Sequence, residues 1–573
     1  MSKRPYISSR TLTALALLPI VTPYILAVCI ATDLGSPAMR LLYLICGLMW
    51  ILLPALFLKK KAFFAFHSIT VLLGMVECVH LIMYQATTSL LFVNTILIAE
   101  PGEFLELCST GWPVIVLAVA FFAGYFRLIK KLDNTPLFGL KGRISVAVCE
   151  VLLILFVAGS LHNGGGKRHI FFPIHNEPHQ GIYARVLPFN LLHHTGYIIK
   201  LHKQINAAAE QLDQFSFGII PCPDRPRQTI VLVIGETARY GNFGINGYNR
   251  NTTPRLQQRN NLISFDSVYS IANLTTVSVP FMLSPATPQT ATDYMHQKSV
   301  VEAFAEAHYQ TAWIANQSFG NQLLMRISET CNYTHYIPSD NSNHDNLDIH
   351  LLDYLRPLID SAQCAQFVVL HSLGCHYKYN YRYPPENTYF LPDMNNRPDI
   401  EDVALNLKEV AKQRDNQLLF DEIRTILVNS YDNAIRYTDY FLDSTISLLN
   451  QSSEPCLLVY IGDHGENLLD DERHLLLHGT YGGSTYEYHV PMFVWYSDSY
   501  RAANPQKIAC LHKHKESKTS SMSLFGTLLD LGSIDYPQFD RTHSLASDTF
   551  VPDSIVYGLD ANMHLIKIPT NQP

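Results

Sequence analysis

Five long apolar runs, at 11–31, 41–58, 62–84, 112–129 and 144–161, concentrate the apolar excess of this chain in its first 161 residues. Each is about 18 to 23 residues long, enough for a helix to cross the ~30 Å hydrocarbon layer of a bilayer. The first run follows Lys3, Arg4 and Arg10, as a signal peptide would, but it exceeds a signal h-region and further spans follow. "LAVC" (26–29) resembles a lipoprotein cleavage site, yet Val28 is too bulky for the residue ahead of Cys29. The run reads as an uncleaved helix, the first of a five-helix transmembrane domain.

Basic residues orient these spans. The N-terminus carries Lys3, Arg4 and Arg10, the second connection Lys59, Lys60 and Lys61, and the fourth Arg127, Lys130, Lys131, Lys141 and Arg143. The first connection offers only Arg40, and the third, 85–111, has Glu100, Glu103 and Glu106 without Lys or Arg. This alternation places the N-terminus in the cytoplasm and everything after residue 161 outside. Of 11 cysteines, Cys29, Cys46, Cys78, Cys108 and Cys149 belong to the membrane part. Cys222, Cys331, Cys364, Cys375, Cys456 and Cys510 lie in the exported part, where disulfides can form. Cys364 and Cys375 flank one apolar run and are candidates to pair; no CxxC is present to suggest a cysteine zinc site.

A glycine-rich exit, "LHNGGGKRH" (161–169), leads to residues 183–215, which mix apolar residues with His, Lys and Gln at helical spacing. That segment reads as a bridging helix, compatible with an amphipathic helix lying on the bilayer. From about 216 the pattern changes to α/β. Apolar runs at 229–235, 311–316, 366–374, 456–462 and 490–497 alternate with helical stretches such as 408–450, while 379–405 reads as an extended loop. Strands alternating with helices predict a mostly parallel sheet sandwiched by helices. The expected division is 1–161 transmembrane, 162–215 linker and bridging helix, and 216–573 exported catalytic domain. A charged fraction of 16% and a net charge of -7 argue against nucleic-acid binding.

Open α/β sheets place active sites beyond the carboxyl ends of their strands. Glu236 follows "IVLVIG", Cys375 and His376 follow "FVVLHSLG", and Asp463 and His464 follow "LLVYIG". Each has an ordinary structural reading. A Glu there can start a helix, Asp-His-Gly can make a turn, and His376 and His478 are two of 24 histidines. Jointly, two carboxylates and an imidazole form a zinc-type ligand set with one position open. A metal there lowers the pKa of a coordinated hydroxyl. Water in the open position makes a hydrolase; a threonine makes a transferase with a covalent intermediate. "SIANLTTVSVP" (270–280) offers Thr275 and Thr276.

The motifs "VIGETARYGNFGINGYNRNTTPRL" (233–256), "TTVSVPFMLS" (275–284), "GDHGENL" (462–468), "LHG" (477–479) and "YHVPMFVWYS" (488–497) resemble those of the membrane-anchored phosphoethanolamine transferases of Gram-negative bacteria, in the sulfatase/alkaline phosphatase superfamily. The resemblance implies an alkaline phosphatase-like periplasmic domain anchored in the inner membrane. It implies Thr275, five residues before Pro280, as nucleophile and metal ligand, with Glu236, Asp463 and His464 completing a Zn2+ site and a second metal site left open. His376 and His478 resemble histidines that bind the substrate phosphate or move protons. Asn94 and Glu103 correspond to positions that hold the lipid head group. The implied donor is phosphatidylethanolamine, and the implied acceptor lipopolysaccharide (lipid A or core) or another envelope glycan.

The chain departs from the family pattern at several places. Ile271 and Phe281 stand where many relatives carry a cysteine pair, "WIANQSFGNQLLMR" lacks a Lys at the usual place, and the third connection has Ile98 or Ala99 in place of a threonine. A phosphoglycerol transferase using phosphatidylglycerol and a catalytically inactive membrane-anchored scaffold are the alternatives. Sulfatase activity is disfavoured because no CxPxR or SxPxR nucleophile motif occupies the site.

Overall fold

The computed structural model describes residues 8–31, 33–34, 37–89, 92–93, 96, 112–162, 185–212, 214–222, 227–290, 296–317, 322–337, 346–400 and 417–570. The chain divides into two compact units, Met1–Leu97 with Leu107–Leu201, and Ile98–Glu106 with His202–Pro573.

The first unit is helical. Its helices are α1 (Ser9–Ile30), α2 (Pro37–Leu52), α3 (Lys60–Phe66), α4 (Ser68–Tyr84), α5 (Trp112–Lys131) and α6 (Leu140–His162). Each of the five apolar runs falls on helix, the third across α3 and α4. Among the described residues, Ser9–Ile30, Pro37–Leu56 and Lys60–Tyr84 are long and apolar enough to cross a membrane. Ser8 caps α1 by accepting from the backbone N–H of Thr11. Glycines let the helices approach closely. A Cβ on Gly47 would lie 2.3 Å from the Tyr24 ring, and one on Gly74 would lie 2.6 Å from Pro23. On the outer surface Leu18, Ile25, Leu41, Leu48 and Leu72 stay exposed, an apolar envelope suited to lipid. Within the segment 183–215, Phe189–Leu212 forms helix α7.

The second unit is built on a seven-stranded sheet. In chain order the strands are β1 (Thr229–Gly235), β2 (Leu262–Phe265), β3 (Gln310–Ala315), β4 (Tyr333–Tyr336), β5 (Gln366–His371), β6 (Cys456–Gly462) and β7 (Met492–Tyr496). Their spatial order is β2-β7-β6-β1-β5-β3-β4, all parallel except for the antiparallel β7. β1 is buried along its whole length, as its unbroken run of β-branched and aliphatic residues requires. Val231 and Val233 pack with Ile423, Leu427, Ile435 and Leu442 of the long helix Gln417–Leu449. On β5, Phe367 stacks on Phe304 at 4.0 Å. The two short edge strands β2 and β4 carry no apolar run and were not expected from sequence.

The candidate pairing of Cys364 with Cys375, one of those the sequence left open, is not formed. Cys364 is exposed and Cys375 buried, both as free thiols, with the six-residue β5 between them. A strand of that length spans about 20 Å, far beyond the ~7 Å Cα limit of a disulfide. Among the described residues every cysteine is free. The 379–405 loop contains short 3-10 turns at Tyr379–Arg382 and Pro385–Asn387; residues 401–416 lie outside the described ones, so the helix expected over 408–450 is described from Gln417.

Candidate active site

Parallel register brings three strand ends together. Gly235 pairs with Gly462, and Ile234 with His371, so Glu236, the loop after β5 and Asp463 emerge at one edge. The β5 loop then turns back onto β1. Gly374 has φ +48°, and a Cβ there would lie 2.6 Å from the Glu236 carbonyl oxygen. Only glycine fits such a close approach, and Cys375 N–H donates to that same carbonyl at 3.0 Å. Thr237, next to Glu236, also has positive φ (+56°), a strained state for a β-branched residue. Tyr431, from the long helix, holds it: its hydroxyl donates to the Thr237 carbonyl at 2.7 Å and accepts from Arg239 N–H at 2.9 Å.

Thr275 is the first residue of the helix Thr275–Met282. Its hydroxyl lies 3.2 and 3.1 Å from the two Glu236 carboxylate oxygens and 3.1 Å from His464 Nε2. The helix carries no side-chain cap. The segment before it is clamped instead: Asn273 Nδ2 donates to Glu487 at 2.9 Å, and Glu487 also accepts from Thr480 N–H at 2.9 Å and from the Thr480 hydroxyl at 2.5 Å. Ile271 and Phe281, at the positions of the absent cysteine pair, are both buried.

Glu236, Asp463 and His464 present ligand atoms within 4.8 Å of one another, all buried. Asp463 Oδ1 accepts from the backbone N–H groups of Thr237 (2.9 Å) and His464 (2.6 Å). Its Oδ2 is buried and accepts no hydrogen bond, although leaving such a group unpaired costs about 1–3 kcal/mol. His464 Nδ1 lies 2.9 Å from the Gly465 carbonyl and must donate to it, which leaves the Nε2 lone pair facing Thr275. Burial pushes Glu236 up to about 7, helped by the Asp463 charge, and pushes Asp463 up to about 7. Burial lowers His464 to about 4, so its ring is neutral at pH 7. Two buried carboxylates, one orphaned oxygen, a neutral imidazole and a hydroxyl fit a divalent cation of the zinc type.

His376 and His478 stand beside this group. His376 Nδ1 lies 2.7 Å from its neighbour's carbonyl, on Tyr377, so its Nε2 carries the lone pair. His478 Nδ1 is 2.7 Å from Glu466 Oε2, and Tyr379 donates to Glu466 Oε1 at 2.7 Å. The His478 ring lies 4.2 Å from the His464 ring and 6.4 Å from the His376 ring, centroid to centroid. Burial raises Glu466 to about 8 and lowers His478 to about 4, so the pair is uncharged at pH 7.

The structure therefore gathers Glu236, Thr275, Asp463 and His464 into one group, with His478 and His376 adjoining. Asn94 and Glu103 lie outside the described residues. Gln317 was missed from sequence. Its side-chain N–H2 donates to Glu236 Oε2 at 3.0 Å and to the Ser372 carbonyl at 2.8 Å, which orients the Glu236 carboxylate. Glu466 was legible as part of "GDHGENL" but carried no assignment, and Tyr431 and Glu487 had no local signal at all.

A model of the Sulfatase family matches residues 228–534. Among curated proteins, the chain is 30% identical over 320 residues to phosphoethanolamine transferase EptA of Escherichia coli K12, covering 54% of each chain. It is 27% identical over 336 residues to EptC of the same strain, covering 57% of this chain and 54% of the relative. The chain thus spans about half the length of the curated relatives it matches. Among solved structures, the integral membrane lipooligosaccharide phosphoethanolamine transferase A (EptA) of Neisseria meningitidis shares the fold, with TM-score 0.66 at 20% identity over 94% of this chain and 98% of that one. The C-terminal periplasmic domain of E. coli EptC in complex with Zn gives TM-score 0.51 at 25% identity over 60% of this chain and 93% of that one.

Proposed function

The chain belongs to the sulfatase family, and on that premise we propose that it transfers phosphoethanolamine from phosphatidylethanolamine to lipopolysaccharide or another envelope glycan, through a covalent intermediate on Thr275. The observation that carries this reading is the Thr275 hydroxyl at 3.1–3.2 Å from both Glu236 oxygens and from His464 Nε2, beside the orphaned Asp463 Oδ2. The names of the relatives support the class of group transferred, and a threonine in place of a formylglycine precursor argues against sulfate-ester hydrolysis.

Zinc held by Glu236, Asp463, His464 and Thr275 would supply Lewis-acid stabilisation of the threonine oxygen and of charge on the phosphoryl group. Thr275 Oγ1 gives up its proton and attacks phosphorus. The Thr275 O–P bond forms, the bond to the diacylglycerol oxygen breaks, and diacylglycerol leaves with a proton. An oxygen of the acceptor then attacks the same phosphorus and displaces Thr275 Oγ1, in a ping-pong sequence. His376, with its lone pair on Nε2, and His478, held by Glu466, bind the phosphate or pass protons to and from the leaving and entering oxygens.

The topology in this reading has five spans, a cytoplasmic N-terminus and a periplasmic catalytic unit at the inner membrane. The alternating basic connections and the apolar N-terminal helices support it. The deciding experiment is mass analysis of the Thr275 peptide after incubating the zinc-loaded protein with phosphatidylethanolamine or phosphatidylglycerol. A phosphoethanolamine adduct is expected from the first lipid. Head-group loss from phosphatidylglycerol alone, or full turnover with Thr275 unmodified, overturns the reading.

A further inference from the structure

The loop that leaves His376 continues over the long helix Gln417–Leu449 and forms with it an open cleft of about 230 Å³. This is smaller than the ~300–1,000 Å³ of drug-sized pockets, on the scale of a single sugar ring. Its walls carry Arg255, Glu386, Tyr389, Arg436, Tyr437 and Tyr440. Asn433 fixes the loop on the helix, accepting from the N–H groups of Tyr389 (3.0 Å) and Phe390 (2.8 Å) and donating to the Phe390 carbonyl (3.0 Å). Tyr389 is 56% exposed even so. One of its faces is covered by the Arg436 guanidinium at 3.9 Å, and the Phe390 ring packs at right angles to it at 4.9 Å. Arg255 lies over Tyr440 at 4.9 Å.

These groups select a ligand class. Two guanidiniums and the phenols donate, and the exposed carboxylate of Glu386 accepts. Asp439 at the wall is already committed to the backbone N–H groups of Arg255 and Leu256 at 3.0 and 2.9 Å. Two cations against two carboxylates leave no net charge to draw a bare phosphate or a cation. Mixed donors and acceptors around a half-exposed aromatic ring match a polyhydroxylated ring, whose C–H face packs on the aromatic while its hydroxyls pair at the edge.

The position fits the same conclusion. Tyr431 of the long helix touches Thr237, the neighbour of Glu236, and Arg436, Tyr437 and Tyr440 follow it on that helix. At 1.5 Å per residue they lie about 8 to 14 Å further along the helix axis than Tyr431. We propose that the cleft between the 386–389 loop and this helix is a saccharide subsite that holds one sugar ring of the glycan acceptor while a neighbouring unit meets Thr275. The inference rests on the transferase reading above.

The test uses the full-length protein in a detergent without a sugar head group. Saturation-transfer NMR with the neutral disaccharide of N-acetylglucosamine reads the cleft directly. Release of diacylglycerol from phosphatidylethanolamine reads the donor step separately. The wild-type chain should bind the disaccharide, Tyr389→Phe should retain binding, and Tyr389→Ala and Glu386→Gln should each weaken it about tenfold, the effect of losing one well-made aromatic or charged contact. With an N-acylglucosamine glycolipid as acceptor, Tyr389→Ala should raise acceptor KM by a similar factor and leave kcat in place. Absence of binding by the wild-type protein, or binding unchanged in both Tyr389→Ala and Glu386→Gln, overturns the subsite. Failure of the donor step with disaccharide binding intact overturns the transferase reading and leaves the sugar site standing.

Discussion

Glu487 accepts a 2.9 Å hydrogen bond from Asn273, two residues before Thr275. The same carboxylate takes both the backbone N–H and the hydroxyl of Thr480, two residues after His478. One buried acid therefore ties the Thr275 segment to the His478 loop, in a chain whose segment has no disulfide among the described residues.

Glu487→Ala leaves the N–H and hydroxyl of Thr480 without an acceptor and Asn273 with only the Thr480 carbonyl, at 3.0 Å. Thermal unfolding should show a loss of about 2–4 kcal/mol, in keeping with unsatisfied buried groups. Turnover should fall by about 100-fold, because a displacement near 1 Å of a reacting atom has that effect. Full activity in this variant would show that the clamp does not set the position of Thr275.

Thr275→Ala removes the oxygen proposed to carry the phosphoryl group. Transfer and the adduct on this peptide should both disappear, while zinc content, held by Glu236, Asp463 and His464, should stay measurable by metal analysis. Thr276→Ala should keep most activity. Equal losses in the two variants would overturn the assignment of Thr275.

Zinc affinity should rise steeply with pH through about 7. Burial raises the folded-state pKa values of Glu236 and Asp463 from 4.5 and 3.8 to about 7. In the metal-free protein their contribution to stability is therefore complete below the unfolded values and is lost as pH rises through 7. Metal binding needs both carboxylates ionised, so its stabilising effect runs the opposite way. The gain in Tm on adding zinc should be small at pH 5.5 and large at pH 7.5, with about two protons released per zinc at the lower end. His464, lowered to about 4, adds nothing to the profile in this range. A Tm gain independent of pH would refute the coupling.

Tyr431→Phe keeps the ring and removes the hydroxyl that bonds the Thr237 carbonyl and Arg239 N–H. The strained turn at Thr237 then loses its fastening. Zinc affinity, followed by competition with a chelator, should drop about tenfold, as for other groups that support ligands from behind. An unchanged affinity would mean that the turn holds its own shape.

The apolar runs, their basic flanks and the β-branched strands were legible because periodicity and hydropathy are local properties. The same holds for Glu236, Asp463 and His464, which stand directly after apolar strands and so had to emerge at the sheet edge once the strands were parallel. The edge strands β2 and β4 were not legible, since each is four residues long, with two half-buried residues in β2 and four in β4, and so leaves little apolar signal. Disulfide pairing of Cys364 and Cys375 was a reasonable expectation from proximity in sequence, and the length of β5 rules it out.

By itself, then, the sequence determined which segments are apolar helices, which are buried strands, and which residue types stand at the strand ends. Only the tertiary structure decided which threonine hydroxyl meets the carboxylates, which proton each histidine carries, and that Gln317, Tyr431, Glu466 and Glu487 support the group. The reason is physical. Those assignments depend on hydrogen bonds and desolvation among atoms a few ångströms apart, contributed by residues far apart in the chain, and no local pattern records such distances.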